Sequence, residues 1–148
     1  MINMKFLGHP IHTMIIHFPT ALLPMELVLS FLYFKTGNGS FGSAAFYCAV
    51  GGVAIGVISM LTGLIDLIGF KKEQKEALGV GLLHGFINGT VIIVYAVIAY
   101  KGWKVYPEIP LPTTTMLIVK ALAVLTLLVG NYYGGNLIYK HRIGIKQD

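Results

Sequence analysis

Polar and apolar positions alternate in long blocks along this chain. Four apolar segments stand out: Ile11 to Phe34, Ser43 to Phe70, Leu78 to Tyr100 and Thr115 to Tyr139. A short Gly/Ser/Asn stretch from Thr36 to Gly42 separates the first two, the charged turn KKEQKEA the second and third, and a loop from Gly102 to Pro112 the last two. Each segment is long enough to cross a hydrocarbon core about 30 Å thick, which takes ~20 helical residues. The runs lack the alternation of a membrane barrel, so helices are the structure that satisfies their backbone groups in lipid. The pattern predicts an all-α protein: an integral membrane four-helix bundle, one domain over residues 1–148, with both termini on one side of the membrane.

Composition strengthens this reading. Of the 148 residues, 55% are hydrophobic and 11% charged, with a mean hydropathy of +0.75. A soluble domain carries about 25% charge, so this chain has too little to cover a water-facing surface. The net charge of +5 does not indicate nucleic acid, because the cations cluster at segment ends. Lys5, Lys71, Lys72, Lys75, Lys140, Arg142 and Lys146 fall on the side of the termini, against Lys35, Lys101 and Lys104 opposite. The positive-inside rule places both termini in the cytoplasm. Tyr100, Trp103 and Tyr106 suit an aromatic belt on the outer side. His17 and Glu26 inside the first segment, and the lack of a small-x-small site after it, predict that it is retained rather than cleaved as a signal peptide.

The single cysteine, Cys48, forms no internal disulfide, and it excludes a covalent c-type haem and a four-thiolate iron–sulfur cluster. No phosphate-binding loop is present to drive an autonomous pump. Glycines recur every four residues at Gly52/Gly56, Gly81/Gly85/Gly89 and Gly130/Gly134, a spacing that lets a helix or a flat ligand approach the backbone. Such stripes also suit a symmetric homodimer. Pro19 and Pro24 predict a kinked first helix just after His17.

Candidate chemistry lies in the histidines. His9, His12, His17, His84 and His141 all fall in the half of the membrane nearest the termini, with Asp66, Asn88 and Asn131 at similar depth. Ionisable groups are expensive in lipid and face the bundle interior, so this polar layer reads as a site. Imidazole suits iron, copper, zinc and nickel. Carboxylates are too few for a di-iron bundle. His17 and His84, at matched depth on two helices, are the favoured axial pair of a b-type haem, with His12 or His9 in reserve. Gly85 and Asn88 would flank the ring, and Lys71, Lys72, Lys140 and Arg142 would meet its propionates. The alternative is a Zn, Cu, Fe or Ni ion held by several of His9, His12, His17, His84, His141 and Asp66, as in a metal-binding protein or transporter. A third reading is a cofactor-free structural or assembly subunit. Toward the opposite side, Glu26 and Lys120 have similar depths and can pair.

The stretch GHPIHTMIIHFPTALLP resembles the opening motif of the bacterial and archaeal family called domain of unknown function 2231. So do Gly63-Leu64-Ile65-Asp66, the His84…Asn88 spacing, and the run from Gly134-Gly135 to Tyr139-Lys140-His141. The resemblance covers nearly the whole chain. It departs at Thr13, where the family often has proline, and at Arg142-Ile143, where it usually has Gly-Val. Relatives joined to cytochrome-c-like or Rieske-like modules imply electron transfer, with a cytochrome or iron–sulfur protein as redox partner.

Overall fold

Local punctuation sets the helix ends. Gly37, at φ +68°, closes one helix in the left-handed conformation that glycine adopts without strain, and the Asn38 side chain accepts from Ser40 N–H to open the next. Thr113 caps the last helix in the same way through Met116 N–H. The computed structural model describes residues 5–6, 9–70 and 73–143. The elements are β1 (Lys5–Phe6) and β2 (His9–Pro10), then α1 (Ile11–Ile15), α2 (His17–Thr36), α3 (Gly39–Ile68), α4 (Lys75–Val105) and α5 (Thr114–Tyr139). The two short strands pair antiparallel, Phe6 opposite His9. Among the described residues, the regular elements after them are all helices.

Four helical stretches are long and apolar enough to cross a membrane: 11–36, 39–68, 75–105 and 114–139. They extend beyond the apolar segments, most clearly α4, which runs from Lys75 to Val105. Hydropathy marks what hydrocarbon can hold, whereas lysine and glutamate at the interface are good helix formers and prolong the helix past it. The first span is interrupted at Ile16, just before His17 and not after it, by a missing helical bond, while Ile16 keeps helical φ and ψ and the bonds from Ile16 N–H to His12 and from Thr20 N–H to Ile16 run across it. Pro19 explains the position: it has no N–H for the carbonyl four residues earlier, Ile15, and its ring crowds that carbonyl.

Around the bundle, α2 packs on α3, α3 on α4, α4 on α5, and α5 returns to α2, while α1 lies against α3. Leu23, Ala49, Val91 and Tyr95 form the buried centre. Two of the predicted glycine positions serve helix packing there. A Cβ on Gly52 would stand 2.5 Å from Leu23 Cδ2, and one on Gly56 would overlap Ile92. The outside is apolar: Ile68, Phe86, Ile93 and Tyr132 each expose well over half their surface. A shell of this kind is stable only in lipid.

Beyond α5 the chain turns through Arg142 at φ +51°, and Ile143 N–H bonds the Leu137 carbonyl at 2.9 Å. The family resemblance of the sequence implies glycine at this position. A left-handed residue with a Cβ costs about 1–2 kcal/mol. Arg142→Gly is therefore expected to leave the thermal midpoint in detergent unchanged or slightly higher. Arg142→Val, with a branched Cβ, should lower stability by about 1–2 kcal/mol.

Candidate functional site

Two imidazoles from different spans meet at the end of the bundle nearest the termini. His12 on α1 and His84 on α4 have ring centroids 6.2 Å apart and planes at 90°. Each is fixed by a helix it does not belong to. His12 Nδ1 lies 2.8 Å from the Ser59 carbonyl on α3, and His84 Nδ1 lies 2.8 Å from the Gly130 carbonyl on α5. A carbonyl only accepts, so both Nδ1 atoms carry the proton and both Nε2 atoms keep a free lone pair. That arrangement is how ligating histidines are oriented: one ring nitrogen anchored, the other left basic.

Glycines make room for the rings. A Cβ on Gly63 would sit 2.9 Å from His12 Cε1, and one on Gly134 would sit 2.7 Å from His84 Cε1. Asn88 packs on Gly130 in the same way, and its amide donates to the His84 carbonyl at 3.1 Å. All four spans thus build the site, but α3 and α5 do so through backbone carbonyls and missing side chains. The sequence offered Gly130 and Gly134 as a groove for a helix or a flat ligand and Gly63 as part of a family motif, but none of the three, nor Ser59, as an anchor or space for an imidazole. A glycine one helical turn after a small polar residue, as in Ser59 and Gly63, was the available signal.

The remaining candidates scatter. His17, the favoured partner of His84 in the sequence, is exposed at the first residue of α2, and the ring beside His84 is that of His12. Ile16 between them keeps helical φ and ψ, so His12 and His17, five residues apart, point about 140° apart, and the ring that meets His84 is the one on the face toward α3. His9 lies in β2, and its side chain falls outside the described residues, as do Lys71, Lys72 and Lys146. Asp66 is in the last turn of α3, and Asn131 reaches Thr20 on α2 at 3.4 Å. His141 sits past α5, its Nε2 buried and without a hydrogen-bond partner among the described residues. Lys140 is engaged by Glu76 at 2.7 Å. Gly85, beside His84, has open space where a Cβ would stand. Among the described residues no three His, Cys, Asp or Glu side chains gather as a metal-ligand group.

Toward the other end, Lys120 donates to Glu26 Oε1 at 2.5 Å and to Ser30 Oγ at 2.7 Å, and Ser30 Oγ donates to the same Oε1 at 2.9 Å. The pair expected from matched depth is formed and is almost fully buried. The aromatic residues of that end also cluster: Phe46 stacks on Tyr106 at 5.1 Å, Trp103 lies beside it, and the Tyr47 and Tyr106 hydroxyls bond to each other.

Compared with known proteins, the chain matches one family model over residues 8–147, that of a predicted membrane protein, domain of unknown function 2231. No curated protein and no solved structure matches it.

Proposed function

The chain belongs to the family of predicted membrane proteins called domain of unknown function 2231, and we propose that it is a membrane-embedded electron-transfer protein holding b-type haem between His12 and His84. The ring separation carries this reading. The two rings stand 6.2 Å apart with perpendicular planes, and each has its Nδ1 against a backbone carbonyl, which leaves Nε2 to bind a metal; His12 and His84 are thus the residues that would hold the haem iron. Haem would supply one-electron chemistry. The chain's own residues set its ligation through Ser59 and Gly130 and limit its contact with water.

In this reading the site lies toward the cytoplasmic face of a bacterial or archaeal cytoplasmic membrane, by the charge bias of the loops. A cytochrome or iron–sulfur protein exchanges electrons with it there. A homodimer joined along exposed small residues is compatible with the same arrangement.

The test is a visible spectrum of the detergent-purified protein, oxidised and dithionite-reduced, with metal analysis of the same sample. Sharp reduced α and β bands at one haem per chain are expected. A flat spectrum with stoichiometric copper, zinc or nickel would replace haem by a bare ion on the same two nitrogens. Gly134→Val is a second check. The added side chain must push the His84 ring off the Gly130 carbonyl, so cofactor affinity should fall about 10–100-fold, while far-UV circular dichroism stays helical.

A further inference from the structure

A cavity of about 340 Å³ opens at the end of the bundle away from the histidines. Its walls come from α2, α3, the end of α4, the loop after it and the start of α5, and they include Tyr33, Ala45, Phe46, Ala49 and Ala99. Val105 and Leu111, both exposed apolar residues, also line it, so the cavity opens to the surface at this end of the bundle.

Its polar end is Glu26, Ser30 and Lys120. Glu26 is 1% exposed, and its Oε1 already accepts from Lys120 and Ser30. The other carboxylate oxygen, Oε2, is buried and has no hydrogen-bond partner among the described residues. Tyr95 is close enough to interact with this carboxylate, but its hydroxyl donates to the Leu23 carbonyl at 3.1 Å. A buried acceptor left unmade costs about 1–3 kcal/mol, more when charged. Packing between helices does not require an open, apolar cavity against an orphaned carboxylate oxygen. A ligand that donates one proton there accounts for both.

We propose that this cavity binds a neutral molecule with an apolar body and a phenol-type hydroxyl, the headgroup chemistry of a membrane quinol. At the buried end the Glu26–Lys120 pair is neutral as a unit, and the other lysine that lines the cavity, Lys101, is exposed, so a charged headgroup beside Oε2 would stand there as an unpaired charge. A hydroxyl donates to Oε2, and its own oxygen accepts from Lys120, whose ammonium has three protons and two of them engaged. The apolar and aromatic wall, Tyr33 and Phe46 included, suits an apolar body, and the volume is that of a small ligand site. The site is separate from the histidines and stands whether or not they hold haem.

The experiment uses the full chain in detergent, with 4-heptylphenol and 4-heptylanisole as probes. The two share an apolar body, and only the phenol can donate. Binding is read from Trp103 fluorescence, since Trp103 adjoins the wall residue Phe46 (ring centroids 6.4 Å apart), and from the ligand-induced rise in thermal midpoint. Wild type should prefer the phenol by about tenfold or more, the usual effect of a charge-assisted hydrogen bond. In the double variant Glu26→Leu/Lys120→Met, which keeps an apolar core, that preference should vanish while weak binding of both probes persists. Equal affinity for the two probes in wild type, no saturable binding of either, or a preference that survives in the double variant would each overturn the proposal. Equal affinity would mean simple partition into an apolar gap, and no saturable binding would leave the cavity to water.

Discussion

His84→Ala and His12→Ala are each expected to abolish the reduced visible bands, whereas His17→Ala should keep them nearly intact. Ligation by two imidazoles fails when either is removed, because alanine offers no nitrogen to bind the metal. His17 makes no comparable demand, since it sits exposed at the start of α2. Haem content per chain, measured as a pyridine haemochrome after purification, checks this directly. Loss in His17→Ala with retention in His12→Ala would return the axial role to the His17–His84 pair. Retention in His84→Ala would remove haem ligation from this end of the bundle altogether. Far-UV circular dichroism separates ligand loss from collapse, and collapse is not expected, because α1 contains no fully buried residue.

Breaking the Glu26–Lys120 pair should have the largest effect on stability. Glu26→Ala leaves a lysine only 6% exposed with Ser30 as its remaining partner, and an uncompensated buried charge typically costs about 3–5 kcal/mol. Lys120→Ala strands the carboxylate at similar cost. Replacing both, as Glu26→Leu/Lys120→Met, removes the charges together and should restore most of the loss, since apolar substitutes for a buried pair are often neutral or stabilising. Thermal unfolding of wild type, Glu26→Leu, Lys120→Met and their double variant in one detergent forms a double-mutant cycle. Single variants that unfold near the wild-type midpoint would mean that water reaches the pair and screens it.

How much of this was readable in the sequence follows from the physics of each feature. The spans were, because the thickness of a hydrocarbon layer dictates their length and a run such as Thr115 to Tyr139 has no other explanation. The Glu26–Lys120 pair was also readable, since depth along a straight helix is a simple count of residues and buried opposite charges seek each other. The partner of His84 was harder. His12 and His17 point about 140° apart on a helix, and choosing between them needs to know which face of the first span packs against α3. The anchors on Ser59 and Gly130 are backbone carbonyls, which no side-chain pattern reveals. The glycine stripes were visible, but one pattern serves two ends: Gly52 and Gly56 admit Leu23 and Ile92, while Gly63 and Gly134 admit imidazoles. The cavity depends on the loop after α4 and on residues from every long helix, so no local segment announces it.

The two halves of the histidine site sit on elements of very different length. His84 belongs to the 31-residue α4, in the middle of the bundle. His12 belongs to the five-residue α1 at the start of the first span, and its ring bonds the Ser59 carbonyl on α3. Short segments near a chain end open locally at lower free energy than the core of a fold. Amide hydrogens of α1 are therefore expected to exchange faster than those around His84, so that the two imidazoles are held with unequal firmness.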